Sequence, residues 1–175
     1  MSDYKEQKAA KPDIYDVIKA CVKDDKKQDA LDFADYIKSL RMKPQWASTN
    51  SWTLNYKSKR VGYIRVNEST GDWGLWLYSQ YDEYFQELAI KESGEIQEFI
   101  LNNIVYCYKC SRCAPGKDMI LLGKDLKNIC ATPNIRLQNP NEEFREFAKK
   151  LIVLRRTAIE NGRVPKVTYI AMKNR

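Results

Sequence analysis

Apolar residues recur every three to four positions at Ile14, Val17, Ile18 and Cys21, and again at Ala30, Phe33, Ala34, Ile37 and Leu40, with Asp29, Asp32, Asp35 and Lys38 between them. This spacing predicts two amphipathic helices. Pro12, Asp13 and Asp16 suit the start of the first helix, and Pro44 lies beyond the end of the second. Cys21 falls on the apolar face and reads as core. From Trp52 the period drops to two. Trp52, Leu54 and Tyr56 alternate with polar residues, Lys57-Ser58-Lys59-Arg60 is a polar turn, and residues 61–66 form the returning strand. After the turn at 68–72, residues 73–78 supply a third strand, giving an antiparallel meander. Helical spacing returns at Tyr81, Tyr84, Phe85 and Leu88, and at Ile96, Phe99, Ile100 and Ile104. Asn139-Pro140-Asn141 then opens a longer helix whose Phe144, Phe147, Ala148, Leu151, Leu154 and Ala158 face inward, and Asn161-Gly162 ends it. A last strand over 166–172 is expected to rejoin the sheet.

Between Cys107 and Pro140 the apolar runs are brief, at 119–122 and 134–137, so this stretch reads as a long irregular loop that something must hold together. The predicted fold class is α+β: about three antiparallel strands packed with flanking helices, an irregular cysteine-rich segment and a long C-terminal helix. The 175 residues suit a single domain, with an α+β part over 1–104, a cysteine-rich metal-binding insertion over 105–140, and a C-terminal helix and strand over 141–175. In the third strand Trp73, Leu75 and Leu77 occupy one face and Trp76 and Tyr78 the other. A strand apolar on both faces is usually covered on both, which places Trp76 in the core.

Composition narrows the chemistry. The chain has no histidine, which excludes hydrolases with an imidazole base, His-ligated zinc enzymes and His-bound haem. The balance leans away from an enzyme, although Cys, Lys, Tyr or carboxylate chemistry stays open. The net charge of +7 arises in residues 117–175, since residues 1–116 balance. Residues 1–12 are polar and charged without the apolar stretch of a secretory signal, and no run approaches the roughly 20 apolar residues that span a bilayer. A cytoplasmic protein with no membrane partner is expected. In a reducing compartment its five cysteines read as metal ligands or redox thiols rather than disulfides.

Cys107, Cys110 and Cys113 stand at two-residue gaps, and Cys130 follows after another 16 residues. Four thiolates complete one tetrahedral site, and a two-residue gap lets a tight turn bring neighbouring sulfurs into one coordination sphere. Metal binding would also supply folding free energy to a segment that lacks a core of its own. Zinc is the favoured ion. An iron–sulfur cluster and metal-free thiols stay open, because three bunched cysteines also suit part of a bacterial ferredoxin site. Lys109, Arg112 and Lys117 would offset the charge of a tetrathiolate or activate bare thiols alike.

Two further groups offer binding surfaces. Trp52, Trp73 and Trp76 lie in an aromatic-rich sheet that can present a face to a planar ligand or to single-stranded nucleic acid. Arg145, Lys149 and Arg156 share one face of the last helix and can lie along phosphates, so nucleic acid or an acidic protein is a candidate partner. The acidic first turn Glu142, Glu143 and Glu146 makes a solvated face the alternative, favoured by the helix dipole alone. Tyr81, Asp82, Glu83 and Tyr84 collect phenols and carboxylates after the third strand, where an acid–base pair or a helix first turn can lie.

Residues 29–88, through 52–56, 59–64 and 74–78, resemble small bacterial α+β domains of the frataxin-like iron-chaperone type, with helices before a meander and another after it. The stretch Cys110-Ser-Arg-Cys113-Ala-Pro-Gly-Lys117, with Gly123-Lys124 and Asn128-Ile129-Cys130, is similar to uncharacterised bacterial proteins sharing a CxxCxPGK…GKxxxNxC signature. That likeness implies that Cys110, Cys113 and Cys130 act as a unit. The functional expectation is a binding or regulatory module with a structural cysteine-bound metal. The alternatives are a thiol- or iron–sulfur-dependent redox or metal-handling protein, and a weak nucleic-acid binder using the basic C-terminal third.

Overall fold

The computed structural model describes residues 4–78, 83–108, 116–130 and 135–163. Their order is α1 (Tyr4–Ala10), α2 (Ile14–Cys21), α3 (Asp24–Ser39), β1 (Gln45–Ser48), β2 (Ser51–Tyr56), β3 (Lys59–Asn67), β4 (Asp72–Leu77), α4 (Glu83–Lys91), α5 (Gly94–Asn102), β5 (Lys117–Leu121), β6 (Lys124–Ile129), β7 (Ile135–Gln138) and α6 (Glu142–Glu160). The class is α+β, as expected. The meander is larger than three strands: β1-β2-β3-β4-β7 form one antiparallel sheet, and β5-β6 form a separate hairpin.

Local chemistry sets the elements. The Asp13 side chain accepts from the Tyr15 N–H and caps α2. The β2–β3 connection is a two-residue turn in which Lys57 and Ser58 both take positive φ, the geometry that matches strand twist. Asn141 caps α6 by accepting from Phe144, and Gly162 ends it with φ 67°. Two elements escaped the apolar pattern. Helix α1 buries only Gln7, and β1 is a short, half-exposed edge.

Pairing places Trp52, Ile64, Leu75 and Leu137 in one row across the sheet, all buried. Helices α2, α3 and α6 lie against β3 and β4, with the Phe33 ring 6.0 Å from that of Trp73. The Tyr36 hydroxyl donates to the Lys149 carbonyl and joins α3 to α6.

The segment over 105–140 departs most from expectation. Where a long irregular loop was expected, its described residues contain the β5–β6 hairpin and β7, an edge strand of the main sheet. Leu121 and Ile129 of the hairpin belong to the main apolar cluster, and its turn residue Leu122 donates its N–H to Gln86 on α4. The apolar runs are short because β5 and β7, the strands that carry them, are only five and four residues long. The strand expected over 166–172 lies outside the described residues. At the junction from β7 to α6, Asn139 exchanges hydrogen bonds with the Trp73 backbone and donates to Asp72.

Candidate functional site

The cysteine-rich loop has a well-built stem. Beyond α5 the chain forms a bridge between Ile104 and Ile135 on β7, and then one between Tyr106 and Ile129 on β6. The Cys107 N–H donates to the Asn128 carbonyl at 2.7 Å, and the Cys130 N–H donates to the Val105 carbonyl at 2.8 Å. Cys107 and Cys130 therefore stand diagonally across one short antiparallel ladder, where neighbouring positions are typically about 7–8 Å apart.

Asn128 closes the stem. It holds φ at 58°, a conformation that asparagine tolerates better than most residues. Its side-chain amide donates to the Cys107 carbonyl at 2.6 Å, and its backbone N–H donates to the Asp118 carboxylate at 2.9 Å. Gly116, at the other end of the loop, approaches so closely that a Cβ there would lie 2.3 Å from the Asn128 amide oxygen and 2.6 Å from Cys107 Cβ. Gly123 turns the β5–β6 hairpin with φ 77°. Each of Gly116, Gly123 and Asn128 thus has a local reason to be where the cysteine signature has it.

Cys107 is part-buried and Cys130 buried. Cys110 and Cys113 lie outside the described residues, and no group of three potential metal ligands forms among the described ones. Arg136 of β7 points a guanidinium nitrogen to 3.8 Å from the Cys130 sulfur. Cys21 is separate from this group and only part-buried, packed beside the core rather than in it. Burial and the neighbouring Glu68 carboxylate push its thiol pKa up.

The aromatic residues divide by strand parity. Trp52 and Trp73, expected as part of a ligand face, are 1% and 2% exposed and pack toward the helices. Trp76 sits on the opposite face of β4, part-exposed, which corrects its expected place in a core covered on both sides. Pairing puts Tyr63 and Arg136 in its row, and Arg65, Gly74 and Gln138 in the adjacent row. The guanidinium carbons of Arg65 and Arg136 stand over the Trp76 ring at 4.2 and 4.6 Å. Sequence reasoning overlooked both arginines. The available signal was Arg65 alternating with the apolar Ile64 and Val66, and Arg136 between Ile135 and Leu137.

The basic face of α6 is internally committed. Arg145 pairs with Asp29 at 2.6 Å, Lys149 with Glu146 at 2.6 Å, and Arg156 with Glu160 at 3.1 Å. Arg155, the sequence neighbour of Arg156, is buried at 1% exposure. Of the acidic and phenolic group after the third strand, Tyr81 and Asp82 lie outside the described residues, while Tyr84 accepts from Asn161 at the end of α6. No helix among the described residues is long and apolar enough to cross a membrane. Comparison with protein-family models, curated proteins and solved structures gives no match.

Proposed function

We propose that the protein is a binding or regulatory module whose loop after α5 is organised by one metal ion held by Cys107, Cys110, Cys113 and Cys130. Zinc suits this set, because four thiolates form a closed tetrahedral site without an open position for catalysis. The observation that carries the reading is the stem. The Cys107 carbonyl, Asn128 and Gly116 join the two ends of the loop, and the same ladder brings Cys130 beside it. Cys110 and Cys113 follow Cys107 at successive three-residue steps in the sequence, and the reading assigns them as the other two ligands. The Arg136 guanidinium supplies an N–H donor of the kind that orients metal-bound sulfur.

Metal analysis of the purified protein, combined with an absorption spectrum, tests this reading. One zinc per colourless chain is the expected result. A brown protein carrying iron and inorganic sulfide would move the assignment to the redox class. Protein without metal, whose thiols all react freely and whose melting temperature is unchanged by chelator, would overturn a metal site altogether. Cys110→Ser and Cys130→Ser are each expected to abolish stoichiometric metal and lower the melting temperature far more than Cys21→Ser, because losing one thiolate dismantles the whole site.

A further inference from the structure

On the side of the sheet that carries Trp76 lies a cavity of about 620 Å³, within the range of small-molecule sites. Its shape follows from the register. Gly74 stands between Arg65 on β3 and Gln138 on β7, and its missing side chain leaves a gap in the floor. The close strand packing requires this glycine, since a Cβ would lie 2.6 Å from the Leu137 carbonyl oxygen. Asn50 forms part of the wall and is held rigidly. It accepts from the Gln7 amide at 2.5 Å, while its backbone N–H donates to the same Gln7 side chain at 2.8 Å.

We propose that this cavity binds a small organic molecule with a single anionic head, a carboxylate or phosphate, on an apolar or aromatic body. Arg65 and Arg136 converge on Trp76 from the strands on either side of β4. A guanidinium stacked on an indole uses its face for the ring, and it recognises an oxyanion through the N–H donors at its edge. The stack also orders two long side chains in advance, which lowers the entropic cost of binding.

The opposite end of the cavity limits the charge. Glu68 and Asp72 line it, and the Asp72 carboxylate is already paired with Lys26 at 2.8 Å. A second anionic group there would meet like charge, so one head fits and a polyphosphate does not. A run of stacked bases fits no better. Among the aromatic residues in this row, Tyr63 is engaged with Arg60 and with the Tyr78 ring, which leaves one indole rather than a platform. The site shares Arg136 with the cysteine stem but does not rest on the presence of metal.

Titration of the full chain with benzoate and with phenyl phosphate, followed by NMR at the Trp76 indole N–H, tests the proposal. Benzyl alcohol serves as the neutral control and Trp76→Phe as the assignment control. At least one anion is expected to shift that resonance saturably, with benzyl alcohol at least about tenfold weaker. Arg65→Gln, which leaves the cysteine stem untouched, is expected to weaken the anion by a similar factor at unchanged metal content. Should Arg65→Gln fail to fold, the comparison of anion with neutral control in the wild-type chain still decides. Three results would overturn the proposal: no shift with either anion up to ~10 mM, equal binding of benzyl alcohol, or displacement of the anion by a single-stranded oligonucleotide at lower concentration.

Discussion

Replacing Gly116 with alanine tests the stem of the cysteine loop by adding one methyl group. The new Cβ would lie 2.3 Å from the Asn128 side-chain oxygen, 2.6 Å from Cys107 Cβ and 2.9 Å from the Asn128 carbonyl carbon. Two of these neighbours are fixed by the chain, so rotation of a side chain cannot relieve them. Moving the Asn128 amide breaks its bond to the Cys107 carbonyl, worth about 0.5–1.5 kcal/mol. Displacing the backbone adds the cost of overpacking, about 1–3 kcal/mol. The expected loss is therefore about 3 kcal/mol, a fall in melting temperature of roughly 6–12 °C for a chain of this size. Thermal melts should be read beside thiol-labelling rates of Cys107 and Cys130, which are expected to rise as the ladder loosens. Gly94→Ala is the control, because a Cβ there meets nothing within 4 Å at the start of α5. If Gly116→Ala melts with wild type and labels at the same rate, the two ends of the loop are not in contact and the stem does not organise the cysteines.

Trp73→Ala should cost about 3–5 kcal/mol by chemical denaturation, as expected for a buried aromatic residue, whereas Trp76→Ala on the open face should cost well under half as much. The Lys26 ammonium, with donors on Thr70 and Asn139, holds the Asp72 carboxyl well below the usual carboxylate range. Its contribution to stability is therefore fully present above the unfolded carboxyl pKa and lost as pH falls below about 4, so Asp72→Asn should flatten the acid side of a melting-temperature curve. Binding of a generic oligonucleotide at physiological salt should be weaker than micromolar by anisotropy, and Lys149→Glu with Arg156→Glu should change it little, since both cations already face carboxylates. The Tyr15 phenol donates to Asp35, and burial with that bond pushes its pKa up to about 12, so Asp35→Asn should return one tyrosine to an earlier step in an ultraviolet pH titration.

Much of the fold was legible in the chain because it rests on neighbours in sequence. The helices carrying Ile18, Ile37, Phe99 and Leu151 show a 3.6-residue period, and β2 to β4 show a two-residue period, each joined by turns whose residues tolerate the geometry. The cysteine spacing likewise marked out a group of side chains, of which the structure describes Cys107 and Cys130 on one short ladder. What remained hidden depends on residues far apart in sequence. Strand β7 has only Ile135 and Leu137 to mark it and becomes a strand by pairing with β4 some 60 residues earlier. Helix α1 is anchored by a buried Gln7 whose partner is Asn50, a polar contact that no apolar pattern predicts. Trp73 and Trp76 look alike in sequence, and parity puts them on opposite faces, but only the packing of α3 and α6 decides which face is core. In the same way, Arg65 and Arg136 belong to strands that never meet in sequence. The register through β4 brings both guanidiniums over one indole, because pairing is set by hydrogen bonds across the whole sheet rather than by either strand alone.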